Sequence, residues 1–200
     1  MSRSTPVASV PAAGASDGPL GAAEPSVFVP LAAGGRAGFD PVDPLALRGV
    51  LGRYVTGVTI VTCRAPDGEP IGLTCNSFNA LSLDPPLVLW SLRQASPSLP
   101  AFKAAAHFAI NVLAESQVEL SRRFASALPD KFAGDAAWRD GLGGAPVLTG
   151  AAAVLECERA AEHATGDHCL FIGRVQRMAD LVTPPLLFHG GHYHMLGEIL

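Results

Sequence analysis

Gly72-Leu73-Thr74-Cys75-Asn76-Ser77-Phe78-Asn79-Ala80-Leu81-Ser82-Leu83-Asp84-Pro85-Pro86-Leu87-Val88 is an extended run with a polar centre. Residues 71–83 have strand-like composition. Asp84-Pro85-Pro86 stops the run, because neither proline can donate to a ladder. Thr74, Asn76, Ser77 and Asn79 interrupt its apolar character. Small polar groups and backbone N–H donors at a barrel rim can hydrogen-bond the edge of a flat heteroaromatic ring. The same residues also suit the solvated face of an edge strand, and composition leaves both readings open.

Working outward, the flanking segments read as strands joined by short turns. Residues 58–64 are β-branched and close in the turn Ala65-Pro66-Asp67-Gly68. Residues 87–93 and 107–113 are further strands, and residues 147–163 and 168–181 form a hairpin around Thr165-Gly166-Asp167. Short strands at 186–188 and 192–195 flank Gly190-Gly191. Helices are few. Asp43-Pro44 is an N-cap followed by proline at the first helical position, with Leu47, Val50, Leu51 and Tyr54 at helical spacing and Gly57 ending the pattern. Residues 98–106 and 117–126 supply two more helices, and 131–144 reads as an ordered loop. Many strands with a few covering helices predict a mainly β (α+β) barrel, whereas a doubly wound sheet needs regular strand–helix alternation.

The chain has 200 residues, 48 % hydrophobic and 16 % charged, with a formal net charge of −4. Such a chain can bury a sizeable core. It has no basic stripe for nucleic acid or for an anionic membrane, and no apolar run of the roughly 18 residues that a span needs. Residues 1–42 read as a flexible Ala/Gly/Pro-rich extension without periodicity, and 43–200 as one domain. Within the extension, Gly14-Ala15-Ser16-Asp17-Gly18 matches G-x-S-x-G but lacks the strand-to-helix turn that would expose the serine. Val27-Phe28-Val29 is a short apolar stretch that could dock on the domain or on a neighbouring subunit. Cys63, Cys75, Cys157 and Cys169 contain no C-x-x-C pair, and reduced, buried thiols in a cytoplasmic protein are the expectation. His189, His192 and His194 lack a paired acid or thiol, so no metal is expected.

The long run, with its Asn76-Ser77-Phe78 centre and Asp84-Pro85-Pro86-Leu87-Val88 end, resembles the signature of the flavin reductase family. Thr56-Gly57-Val58-Thr59, Phe108-Ala109-Ile110-Asn111-Val112-Leu113, Asp130-Lys131-Phe132, Gly166-Asp167-His168 and Pro185-Leu186-Leu187-Phe188 agree in the same order. The resemblance covers about residues 43–196. It implies an FMN-binding split barrel and an NAD(P)H-dependent flavin reductase. FMN or FAD would be reduced by NADH or NADPH and handed to a flavin-dependent monooxygenase, and the protein would be a homodimer.

By that resemblance, Thr74, Asn76, Ser77, Phe78 and Asn79 would line the isoalloxazine ring. Arg93, Gln94, Ser96 and Ser98 would hold the ribityl chain and phosphate. A cation and two hydroxyls at a helix start have the chemistry of an anion site. Arg123 and Phe124 would lie on the covering helix. Gly166, Asp167 and His168 would face the nicotinamide, with Asp167 orienting His168, and Tyr193 would touch the same pocket. The alternatives from other classes are a flavin-retaining electron carrier without nicotinamide turnover, and a barrel that only scaffolds an assembly.

Overall fold

The computed structural model describes residues 42–134 and 137–199. The expected extension, with its G-x-S-x-G match and its Val27-Phe28-Val29 stretch, lies outside them. Helix α1 (Pro44–Leu51) starts where the sequence places it, with the Asp43 carboxylate accepting from Ala46 N–H at 2.8 Å. It ends at Gly52, earlier than Gly57, so Tyr54 is not helical. Leu47, Val50, Leu51 and Tyr54 are all exposed.

The chain then runs through β1 (Thr56–Gly57), β2 (Thr59–Arg64), β3 (Pro70–Cys75), β4 (Asn79–Leu83) and β5 (Pro86–Arg93). Next come α2 (Leu99–Ala104), β6 (His107–Val112), α3 (Val118–Ala125), β7 (Trp138–Asp140) and β8 (Pro146–Leu148). The long hairpin β9 (Ala153–Thr165) and β10 (His168–Asp180) follows, then β11 (Leu187–His189) and β12 (His192–His194). Two stretches expected as single strands are broken. Residues 71–83 divide into β3 and β4, and residues 147–163 divide into β8 and β9 around Gly150, whose φ is +77°. The expected loop 131–144 contains β7, which pairs with β8.

Seven antiparallel strands form one sheet in the order β3-β2-β6-β9-β10-β5-β4. Consecutive strands β3 and β4 therefore occupy opposite edges. Laid flat, those edges would stand six spacings of about 4.8 Å apart, roughly 29 Å. The three residues 76–78 join them, and four Cα steps reach about 14 Å at most. The sheet must curl until its edges nearly meet, which makes a barrel split at the Asn76-Ser77-Phe78 seam. Its interior gathers Val61, Val88, Trp90, Phe102, Phe108 and Phe171 from both halves of the sheet and from α2. Trp90 stacks on Phe171 with centroids 4.7 Å apart, and Phe102 and Phe108 meet Trp90 edge-on.

A second core lies under α3, where Phe124, Phe132, Leu113, Leu148 and Leu186 pack together. Buried Asn111 ties this region to the barrel. Its amide donates to Ile60 O at 3.0 Å and its carbonyl accepts from Leu148 N–H at 2.8 Å. Glu156 does the same on the outer side, accepting from Leu142 N–H at 2.6 Å and pairing with Arg177. The four cysteines are free and buried, and burial pushes Cys63 and Cys157 up to about 12, with the Glu156 charge adding to the rise at Cys157.

Candidate functional site

A cleft of about 650 Å³ opens along the seam, between β3, the end of β5, residues 95–98 and α3. That size is within the usual range of small-molecule sites, about 300–1,000 Å³. Eight of the residues expected from the sequence line it: Thr74, Asn76, Ser77, Arg93, Ser96, Ser98, Phe124 and His168. Leu73, Leu92 and the buried Phe124 ring, with smaller residues such as Ala95, Pro97 and Ala125, supply its apolar part, and hydroxyl, amide and cationic side chains supply its polar part.

Several of these polar groups also hold the seam together. The Ser77 hydroxyl accepts from Ser91 N–H at 2.9 Å and donates to Ser91 O at 3.1 Å, pinning the β3–β4 link to β5. The Thr74 hydroxyl donates to Ser121 O at 2.6 Å and fastens α3 against β3. Both hydroxyl hydrogens are thus committed to backbone oxygens. The exposed Asn76 side chain has no such commitment among the described residues and remains available at the rim.

Arg93 ends β5 directly opposite His168 in the β5–β10 register. The Asp167 carboxylate lies 2.7 Å from His168 Nδ1. A carboxylate only accepts, so Nδ1 carries the hydrogen and Nε2 is the free ring nitrogen. The hydrogen bond from His168, the histidine charge and, more weakly, Arg93 hold Asp167 below the usual carboxylate range. Gln94 fixes the turn that carries the pair. Its backbone N–H donates to Asp167 O at 2.8 Å and its side-chain amide to Gly166 O at 2.9 Å. Gln94 and Gly166 therefore position the hairpin tip and do not line the cleft.

The expected helix-start anion site takes a different form. Helix α2 has six residues, Pro100 removes a donor from its first turn, and the Ser98 side chain makes no cap. Positive charge comes instead from Arg93 and from Lys131, which the sequence reading left without a role. Lys131 Nζ donates to Phe124 O at 2.9 Å and lines the cleft, and burial lowers its pKa. Its sequence signal was the Asp130-Lys131-Phe132 match to the family, in a segment that reads as loop and to which no site role was given.

Four expected residues are elsewhere. Arg123 donates to Ala133 O at 3.1 Å and lines a separate cleft on the far side of α3. Tyr193 packs edge-on against Phe188 and shares a 2.9 Å hydrogen bond with the Ser121 hydroxyl. Phe78 packs on the barrel core, and Asn79 is exposed on β4. Among the described residues, no group of three His, Cys, Asp or Glu side chains is placed to hold a metal ion, and no helix is long and apolar enough to cross a membrane.

Residues 51–197 match the flavin reductase like domain, which spans the barrel, the seam and the hairpin tip together. The chain belongs to the flavin reductase family. Its relatives include the NADH-dependent FMN reductase SmoA of Agrobacterium fabrum, 47 % identical over 148 residues, 74 % of this chain and 83 % of that one. The reductase subunit HsaB of a flavin-dependent monooxygenase from Mycobacterium tuberculosis is 43 % identical over 155 residues, 76 % of this chain and 82 % of its own. Among solved structures, an NADH:FAD oxidoreductase of Streptomyces globisporus in complex with NAD and FAD fragments has a TM-score of 0.74 and 36 % identity. That likeness covers 80 % of this chain and 98 % of the other. The family's fold, a split barrel, agrees with the curled seven-stranded sheet.

Proposed function

We propose that this protein is an NAD(P)H:flavin oxidoreductase that reduces FMN or FAD and passes reduced flavin to a separate flavin-dependent monooxygenase. The observation that carries the reading is one cleft bearing Asn76 at its rim, Arg93 and Lys131 as cations, and the Asp167–His168 pair at its mouth. This donor set fits a flavin, whose ring edge requires hydrogen bonds and whose phosphate requires positive charge.

Bound flavin supplies the hydride acceptor, and the nicotinamide supplies the hydride. Asn76 and the backbone at Ser77 and Phe78 take the ring edge. Ser96, Ser98, Arg93 and Lys131 take the phosphate end. Leu73, Leu92 and Phe124 would exclude water from a bound ring, which is the apolar contact that stacking of a nicotinamide on a flavin requires. Asp167 fixes the His168 ring with Nδ1 protonated, and Nε2 positions the nicotinamide or stabilises charge at the flavin. No protein nucleophile is needed. A carrier that keeps its flavin has no use for this histidine, which favours the reductase.

The protein acts in the cytoplasm as a homodimer. Free buried thiols support the compartment. The exposed Leu47 and Val50 side of α1 supports the pairing, because monomers rarely leave such patches open. NADH and NADPH oxidation at 340 nm, with and without FMN or FAD, tests the activity. Oxidation that depends on added flavin upholds it, and a retained flavin with no oxidation refutes it. Light scattering on the eluting protein reads the dimer.

A further inference from the structure

Residues 93–98 form a short loop with two faces. Arg93, Ala95, Ser96, Pro97 and Ser98 line the flavin cleft, and Gln94 is the one member of the run that does not. The loop is braced from within. Ser96 N–H donates to Arg93 O at 3.0 Å, Leu99 N–H to Ser96 O at 3.1 Å and Ser98 N–H to the Ser96 hydroxyl at 3.3 Å. Gln94 faces the hairpin tip instead and reaches three consecutive carbonyls. Its backbone N–H donates to Asp167 O at 2.8 Å, and its side-chain amide to Gly166 O at 2.9 Å and, more distantly, to His168 O at 3.4 Å. The tip is otherwise open. Thr165, Gly166 and Asp167 are exposed, and a Cβ at Gly166 would meet nothing within 4 Å. A turn with so few packed neighbours belongs to the easily opened end of a structure, so its placement depends on such a clamp.

The braced loop that meets the phosphate end of a flavin is therefore the same piece of chain that grips the tip carrying Asp167 and His168. Gln94 is covalently joined to Arg93 on one side and Ala95 on the other, so nothing flexible lies between the two contacts. We propose that Gln94 is a positioning residue that couples the two ends of the site: a phosphate held by Arg93, Ser96 and Ser98 restrains the loop, and through Gln94 sets His168 for hydride transfer. Binding energy from a non-reacting part of a substrate, when it is directed to orientation, raises the rate of the chemical step and not only the affinity. FMN then takes up hydride faster than riboflavin, which has the same ring and lacks the phosphate. The proposal rests on the reductase reading and adds to it a role for the flavin phosphate in the reaction itself.

Stopped-flow reduction of bound flavin at saturating NADH tests this, with FMN and riboflavin each at saturating concentration. The proteins are the full chain, Gln94→Met, which keeps the side-chain length and loses the amide, and Gln94→Ala. In the unsubstituted protein FMN is reduced about three- to tenfold faster than riboflavin, the size of one hydrogen bond. Both variants bring the FMN rate down to about the riboflavin rate. They leave the riboflavin rate and the Kd for FMN within about twofold, because this side chain does not line the cleft. The comparison of the two flavins needs no variant, which keeps the test decisive if a variant folds poorly. Equal rates for FMN and riboflavin in the unsubstituted protein overturn the proposal. Equal losses with both flavins in Gln94→Met tie Gln94 to the tip without the phosphate and overturn it too. A raised Kd for FMN with an unchanged reduction rate assigns Gln94 to flavin binding, with the same consequence. Failure of the unsubstituted protein to reduce any flavin with NADH or NADPH refutes the reductase reading itself, a separate outcome.

Discussion

Replacing Gly72 with alanine should damage both stability and the flavin cleft. A Cβ at Gly72 would lie 2.5 Å from Phe124 Cε1, 2.8 Å from Phe124 Cδ1 and 3.1 Å from Phe132 Cζ. Carbon atoms rest at about 3.5–4.0 Å, so the Phe124 ring must retreat by about 1 Å. It has little room to do so, because it is 1 % exposed and abuts Phe132 edge-on with centroids 4.9 Å apart. Helix α3 must move with it, although the Thr74–Ser121 hydrogen bond holds that helix to β3. Overpacking of this kind costs about 1–3 kcal/mol. At about 2–4 °C per kcal/mol for a domain of this size, a loss of 2 kcal/mol lowers Tm by about 4–8 °C. Lys131, which donates to Phe124 O, shifts with the helix, so KM for FMN also rises. Gly57→Ala is the control, since a Cβ there meets nothing within 4 Å. Adding Phe124→Leu to Gly72→Ala should recover part of the loss, making the pair less than additive. Calorimetric melting of Gly72→Ala, Phe124→Leu, their combination and Gly57→Ala decides it. A Gly72→Ala protein that melts with the Gly57→Ala control, or a strictly additive pair, refutes the reasoning.

Three further outcomes are expected. Ser77→Ala removes both hydrogen bonds to Ser91 and lowers stability by about 1 kcal/mol in urea unfolding, with weaker FMN binding because the seam loosens. Lys131→Met weakens FMN binding about tenfold and leaves riboflavin, which lacks the phosphate, nearly unaffected in fluorescence titrations. Burial favours the neutral form of Lys131, so in the native protein FMN affinity falls as pH rises toward the ordinary lysine value of 10.5, and the methionine variant lacks that dependence. Glu156→Ala strips a buried carboxylate from Leu142 N–H and from the exposed Arg177, lowering stability by about 1–2 kcal/mol in urea unfolding while KM for flavin stays unchanged, because Glu156 does not line the cleft.

Much of this arrangement is written in local sequence. Asp43-Pro44 starts α1, Gly68 closes the β2–β3 turn with φ +90°, and Gly166-Asp167 turns the long hairpin. Each follows from capping or from backbone freedom within a few residues, so no distant contact is needed to read it. The polar centre of residues 74–79 was legible in local composition, whereas the Asp167–His168 pair was expected only through the family resemblance. The apolar spacing of α1 was legible too, yet its face is exposed, because periodicity reports a preference for burial and not the surface that provides it.

Tertiary structure decided the remainder. That residues 71–83 form two strands on opposite edges depends on β10 pairing with β5, a contact between residues about 80 apart in sequence. The curl this imposes turns a three-residue link into the seam of a barrel and brings Arg93, His168 and Lys131 to one cleft. It also directs Arg123 to another surface, although the sequence places it next to the cleft residue Phe124 on α3, and it leaves Tyr193 on β12, which contributes nothing to the cleft. Local sequence determined which segments are strands, where they turn and which polar residues are available, since steric and hydrogen-bond preferences act over a few residues. Strand order and the direction of each side chain followed only from closing the sheet, because burying Trp90, Phe102, Phe108 and Phe171 together requires all its strands at once.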